Sequence, residues 1–240
     1  MRTVQGITID AKRLGIELLP GQLDKFQAYA KELLDWNRRV NLTAITDPFQ
    51  VERLHFLDSL TVSLVLPAQV KSGGSLCDVG SGAGFPGVPL KIAFPGIKLT
   101  VVDSSAKRTG FLESLVTVLG LADVEVINGR AEDVGQRSEF MENFDVVVSR
   151  AVAETRVLLE YTLPLCRIGG LVIMQKKGDV QEEVERASGA LRELGGGGLK
   201  MVEVPEEVLE GQRKLAVVKK TSTTPSRYPR RTGIPAKRPL

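Results

Sequence analysis

The sequence predicts an α/β protein in which a helical region precedes a seven-stranded, mostly parallel sheet with helices on both faces and an antiparallel C-terminal hairpin. Between Gly21 and Val40, Leu23, Phe26, Ala30, Leu33 and Leu34 recur at helical spacing, and Val40 closes the stripe. After "KSGGS" the pattern changes to short β-branched runs separated by helix-length amphipathic stretches: "SLCDVG", "IKLTVVD", "DVEVING", "FDVVVS" and "GGLVIMQ". Such alternation implies crossover connections and a parallel sheet. The last two strand candidates, "LKMVEVPEEV" and "RKLAVVKK", are joined by a short turn around Glu210 and Gly211, too short for a crossover, so they pair antiparallel.

Each segment follows from those signals. In "DPFQVERLHFLDSLTVSLVL" Asp47 has the chemistry of a cap and Pro48 fits the first helical position, so a second helix starts there. In "WNRRVNLT" Trp36 is read as packing the helix on its neighbour, and Asn41 and Thr43 as cap and turn formers. "GGGG" at 195–198 is expected to be a flexible connection before the hairpin. The chain divides into a helical region over 1–70, a sheet domain over 71–220 and a basic, proline-rich arm over 221–240.

The net charge of +3 is unevenly spread. From Lys219 to Leu240 there are seven cations, four prolines and no acid. Removing those seven from 32 Lys and Arg leaves 25 cations against 29 acids, so the first 218 residues carry −4 and the end carries +7. That end buries little apolar surface by itself, which suits an arm lying on the body or on a polyanion. Cys77 and Cys166 both sit in apolar runs, so neither a disulfide framework nor a metal site is suggested. No N-terminal run resembles a signal peptide and no window reaches a membrane-spanning length, which predicts a cytoplasmic protein with no membrane partner.

The most informative stretch is "LCDVGSGAGFPGVPLKI", residues 76–92. Its glycines follow the first strand and precede a helix, at the sheet edge where open α/β folds bind ligands. Gly82, Gly84 and Gly87 satisfy G-x-G-x-x-G, a pattern that fits a dinucleotide as well as other adenosine cofactors. Three details favour S-adenosylmethionine. Asp78, two residues before Gly80, can accept a hydrogen bond from a cationic amino group and would repel a diphosphate. Pro86 and Pro89 remove N–H donors from the helix start that a diphosphate would use. Asp103 ends the second strand, 23 positions after Gly80, where an acid takes ribose hydroxyls.

The other strand ends add to the site. In "NGRAED" an adenine fits against Ala131 with a carboxylate nearby; Glu132 and Asp133 equally suit a helix first turn. "VVVSRAVAE" brings Ser149 and Arg150 off the fourth strand, where Arg150 is either a ligand contact or a surface ion pair. His55 is read as packing the helical region on the sheet.

The blocks "WNRRVNLTAI", "HFLDSL", "DVGSGAGFPGVPLKI", "VVDSSAKRTGFLE", "NGRAED", "FDVVVSRAVA" and "YPRRTGIPAKRPL" resemble, in this order, the bacterial small-subunit ribosomal RNA methyltransferase G family, also called glucose-inhibited division protein B. The likeness runs from about residue 20 to the end, and "KKGD" at 176–179 fits it too. It implies a class I, Rossmann-like methyltransferase that moves a methyl from S-adenosylmethionine to N7 of a guanine in a loop of 16S ribosomal RNA. It implies cofactor contacts at Gly80, Phe85, Asp103, Ser104, Ser105, Ala131, Glu132 and Arg150, to which the residue reading adds Asp78 and Gly82.

Guanine N7 has an in-plane lone pair and no proton, so no catalytic base is expected. N7 is hidden in the deep groove of A-form RNA, so the target lies in a loop or an opened structure. Arg227, Arg230, Arg231, Lys237 and Arg238 are expected to neutralise phosphates and Tyr228 to stack on a base, with an arm packed across the enzyme as the alternative. Removal of 221–240 is then expected to weaken RNA binding and spare cofactor affinity. The expected partner is 16S ribosomal RNA or the small subunit, and the expected state is a monomer. The rival readings are an NAD(P)-dependent oxidoreductase and an RNA-binding protein that keeps the fold without turnover.

Overall fold

A computed structural model describes residues 6–240; residues 1–5, the start of the expected helical region and of the stretch read against a signal peptide, lie outside the described residues. The chain begins with α1 (Gly6–Arg13) and α2 (Pro20–Val40). Pro20 opens α2 and Asn41 closes it in the left-handed conformation, φ 51°. A continuous helical run follows: α3 (Pro48–Val51), a π turn (Glu52–Leu57), α4 (Asp58–Leu60) and a 3₁₀ turn (Thr61–Leu64). Asp47 caps it as expected, its Oδ1 accepting from the Gln50 N–H at 2.9 Å. After α5 (Ala68–Lys71) come β1 (Ser75–Val79), α6 (Gly87–Ala93), β2 (Lys98–Asp103), α7 (Ala106–Val118), β3 (Val124–Asn128), α8 (Ala131–Gly135), β4 (Phe144–Arg150), α9 (Thr155–Thr162), β5 (Cys166–Lys177), α10 (Gln181–Arg186), α11 (Ser188–Leu194), β6 (Gly196–Glu203), β7 (Arg213–Lys220) and α12 (Ile234–Lys237).

The seven strands form one sheet in the order β3-β2-β1-β4-β5-β7-β6. β1 to β5 are parallel, and β7 is antiparallel to both β5 and β6. The order reverses between β1, which pairs with β2, and β4, so a crevice opens at the carboxyl ends of those strands.

Side chains alternate between two cores. Leu76, Leu99, Val101, Val146 and Val148 face the core shared with α1, α2, the π turn, α6 and α7. Cys77, Val79, Val102 and Val147 face the core under α9 and α11. Phe26, Tyr29, Leu33, Phe56 and Leu60 therefore share one hydrophobic cluster with Phe85, Phe111 and Ile173. Trp36 meets Phe111 edge-on at 5.7 Å. Polar groups of α2 finish the job: the Gln22 amide donates to the Ile92 and Ala93 carbonyls at 2.7 and 3.0 Å, and Lys25 donates to the Leu119 carbonyl. One helix thus covers the carbonyl ends of two others.

The hairpin differs from expectation in two ways. The stretch "GGGG" is not a linker: Gly195 ends α11 with φ +79°, and Gly196 already belongs to β6. A Cβ on Gly196 would lie 3.0–3.1 Å from Leu191, Leu163 and Val218, so packing requires a bare strand there. The link from β6 to β7 is also no tight turn, because Val204, Val208 and Leu209 are buried in the first core. Cys77 and Cys166 are free and buried. No helix among the described residues is long and apolar enough to cross a membrane.

Candidate functional site

The bend after β1 is held by its own acids. Asp78 has no exposed surface, and its Oδ2 accepts from Ser81 Oγ and from the Gly87 N–H, both at 2.8 Å. The third glycine of the G-x-G-x-x-G triplet thus spends its amide on the chain's own carboxylate, in the place where a diphosphate would need it. This corrects the expected role of Asp78: it stands behind the bend as a staple and lines none of the cavities beside it. Burial pushes its carboxyl up to about 6. Its Oδ1 has no partner among the described residues.

Glycine is required at two points of the bend. Gly80 has φ +71° and would drive a Cβ into Val152; Gly84 has φ +97° and would drive one into Tyr29 Oη at 2.5 Å. Tyr29 instead donates to the Ala83 carbonyl and stacks on Phe85 at 5.4 Å, so α2 buttresses the bend from below.

Three cavities meet at the crevice, and all three are lined by Ala151, held at φ 56° directly after β4. The first, about 230 Å³, lies between the ends of β1, β2 and β3. Gly80, Asp103, Ser104, Ala131 and Glu132, all singled out from the sequence, line it together with Arg108, Val152 and Tyr161. Asp103 is 4% exposed; Oδ2 accepts from the Gly82 N–H and Oδ1 from the Ser105 N–H, each at 2.9 Å. Arg108 Nη1 also lies 3.5 Å from Oδ2, while Oδ1 keeps a lone pair for a ligand hydroxyl. Ser105 caps α7 and orients this carboxylate through its backbone, and it does not line the cavity.

The second cavity, about 210 Å³, lies over the bend and is lined by Gly82, Phe85, His55, Thr43, Arg108 and Arg150 among others. Phe85 stacks on His55 with centroids 4.4 Å apart, and the Arg150 guanidinium lies 4.8 Å from the Phe85 centroid. His55 joins the helical region to the sheet as expected, but it does so at the site. Its Nε2 is 2.8 Å from Thr43 Oγ1 and its Nδ1 3.2 Å from Arg150 Nη2. Arginine only donates, so Nδ1 accepts and Nε2 carries the proton. Burial, and then the Arg150 charge, push the His55 pKa down to about 4.

The third cavity, about 520 Å³, opens between the helical region and the ends of β4, β5 and β7. Arg150, Gln175, Lys176, Lys177 and Arg213 line it around a buried Asp58, 3% exposed. Asp58 receives Arg150 at 3.0 Å and Arg213 at 3.2 Å. Gln175 donates to the Asp58 carbonyl at 2.7 Å. Arg150 is thus both a cavity residue and half of a buried ion pair. Sequence reading assigned no role to Asp58, Arg108, Tyr161, Gln175 or Arg213; the one visible signal was a lone acid inside the apolar "HFLDSL".

The C-terminal arm is largely spent on the body. Tyr228 is 4% exposed and donates to Glu193, and Arg230 grips the fully buried Glu160 with Nη2 to Oε2 at 2.6 Å. Both expectations of RNA contact at these residues are therefore corrected: the ring lies in the second core and the guanidinium is already paired. Arg227 pairs with Glu193 at 3.1 Å on the surface. Arg231, Lys237 and Arg238 are exposed and enter no ion pair among the described residues.

The sequence matches the family described as GidB, rRNA small subunit methyltransferase G, over residues 22–215. The chain belongs to that family. The ribosomal RNA small subunit methyltransferase G of Dehalococcoides mccartyi (strain BAV1) is 51% identical over 227 residues, 95% of each chain. That of Exiguobacterium sibiricum is 43% identical over 240 residues, the whole of both chains. Among solved structures, a putative S-adenosyl-L-methionine-dependent methyltransferase from Methanococcus maripaludis aligns with a TM-score of 0.54 at 15% identity, covering 81% of this chain and 93% of that one, a likeness of fold. This member of the methyltransferase G family is accordingly an S-adenosylmethionine-dependent ribosomal RNA methyltransferase with the Rossmann-like fold expected from its sequence.

Proposed function

We propose that this enzyme methylates N7 of a guanine in a loop of 16S ribosomal RNA, in the cytoplasm and as a monomer. The observation that carries the reading is the run of three cavities sharing Ala151, with the buried Asp103 carboxylate at one end and cations at the other. The first cavity suits adenosine, with the ribose hydroxyls at Asp103 and the base between Ala131 and Glu132. The second, over Gly80, Gly82 and Phe85, suits the methionine portion. The third suits the target base, with Lys176, Lys177 and Arg213 toward its phosphates. Residues 6–70 then act as one flank of the base cavity, 71–220 as the cofactor domain and 221–240 as an arm whose RNA contacts are Arg231, Lys237 and Arg238.

When bound, S-adenosylmethionine supplies an electrophilic sulfonium methyl. The protein's part is alignment and dryness. His55 commits both ring nitrogens, one to Arg150 and one to Thr43, and its depressed pKa keeps it neutral near pH 7. Asp58 is held in ion pairs with two guanidiniums. No carboxylate or imidazole at this junction is poised to take a proton, which suits an acceptor nitrogen that has none to give.

Calorimetric titration with S-adenosylhomocysteine tests the cofactor assignment. Binding by the wild type and a roughly tenfold to hundredfold loss in Asp103→Ala are expected, as for removal of a charged hydrogen bond to a ligand hydroxyl. Undiminished affinity in the variant, or preferential binding of NADH, contradicts it.

A further inference from the structure

The arm bonds to a residue that lines the first cavity. Residues 229–233 run along α8, whose Glu132 lines the adenosine end of the first cavity. The Gly233 N–H donates to Glu132 Oε1 at 2.9 Å, and Glu132 is a cavity residue only 4% exposed. One residue earlier, Thr232 Oγ1 donates to Asp133 Oδ1 at 2.8 Å. Gln136, just past α8, donates to the Pro229 carbonyl at 2.6 Å, and the Pro229 ring packs on Gly135, where a Cβ would come within 2.9 Å. On the far side of Glu132 stands Tyr161, whose phenol burial and the adjacent carboxylate push upward in pKa. Arg230 anchors the strap to Glu160 of α9. Arg231, between anchor and wall, is exposed and lines a second recess with Arg227, Arg230, Gln136 and the acids Glu132 and Asp133.

We propose that residues 229–233 back the wall of the cofactor site: they position Glu132 for the adenosine on one side and carry Arg231 to an RNA phosphate on the other. A ligand on either side then favours the same seated strap, so cofactor and RNA each tighten the other's binding. The proposal reverses the expectation that loss of the arm spares cofactor affinity. This proposal rests on adenosine occupying the first cavity.

The test uses the wild-type protein, S-adenosylhomocysteine and trypsin. Cleavage after Arg230 and Arg231 reports release of the strap, and cleavage after Lys12 and Arg13, on the distant α1, controls for general stabilisation. Saturating S-adenosylhomocysteine is expected to slow strap cleavage about fivefold or more while leaving the control sites within twofold. Bound ligand, shown by calorimetry, with unchanged strap cleavage overturns the proposal and leaves the cofactor assignment standing; no heat of binding at all removes the cofactor assignment instead. A second measurement uses the double variant Thr232→Val, Gln136→Leu, which removes two seats of the strap. Its KM for S-adenosylmethionine should rise about fivefold with kcat at saturation unchanged, and Thr232→Ser alone should behave as wild type. A KM within twofold of wild type in the double variant contradicts the proposal.

Discussion

Two additions to the sheet flank the same crevice, and they are attached by different forces. The helical region on the target side joins through a shared apolar core, with Phe26, Tyr29 and Phe56 wholly or nearly buried, and adds one buried ion network at Asp58. The arm on the adenosine side buries the ring of Tyr228, packs Pro229 on Gly135 and is held largely by carboxylates: Glu132, Asp133, Glu160 and Glu193 each receive a group from it. Apolar attachment makes a fixed floor, insensitive to salt. Polar attachment at a partly wet surface makes a seat that ligands and ions can shift. Rigidity is thus placed where the methyl must be aligned, and adjustability where a large substrate arrives.

The strongest blow to that contrast is Asp58→Ala. It leaves Arg150 and Arg213 as buried cations without their shared acid and should lower unfolding free energy in urea by about 3–5 kcal/mol. A loss under 1 kcal/mol shows that the floor does not depend on this network.

The next effect is a hidden pH dependence of the floor. His55 has a pKa of about 4 when folded and about 6.5 when unfolded, so the unfolded chain holds the extra proton between those values. Its contribution to stability is full above 6.5 and is lost as pH falls toward 4. Asp78 behaves oppositely: about 6 folded against 3.8 unfolded, so its burial costs stability as pH rises from 3.8 to 6. Each reaches about 3 kcal/mol at most, and together they largely cancel. Urea midpoints from pH 4 to 7 should therefore fall with rising pH in His55→Gln and rise in Asp78→Asn. Parallel profiles in the two variants contradict this.

On the arm, Arg230→Met strands the fully buried Glu160 carboxylate, and since the guanidinium it loses is itself a quarter exposed the change should cost about 2 kcal/mol. It should also raise the cofactor dissociation constant, because the strap loses its anchor. The smallest effect concerns Arg231→Gln, which should reduce the slope of log K for RNA against log salt by about one and leave stability within about 0.5 kcal/mol. An unchanged slope moves the RNA contact elsewhere on the arm.

What the sequence made legible follows from local physics. The strands announced themselves through β-branched runs, the bend through glycines that only one backbone path explains, and Asp47 and Asn41 through cap chemistry. Residues whose meaning depends on distant partners stayed hidden. Asp58 meets Arg150 and Arg213 across 92 and 155 positions, and Arg230 meets Glu160 across 70. A count of cations in the arm cannot tell paired from unpaired, so Arg230 and Tyr228 read as RNA contacts when they are fasteners. Asp78 misled for a similar reason: an acid beside a bare bend looks like a ligand contact until Gly87 is seen to turn its amide back onto it.

The central chemical claim is methyl transfer to a proton-free ring nitrogen without a protein base. Its most direct measurement is primer extension on 16S ribosomal RNA after incubation with enzyme and S-adenosylmethionine, followed by borohydride and aniline, which cleave the strand at N7-methylguanine. A single new stop one nucleotide from a guanine in a loop, absent without the cofactor, is the predicted result. Methyl label incorporated into the RNA with no such cleavage would contradict the account.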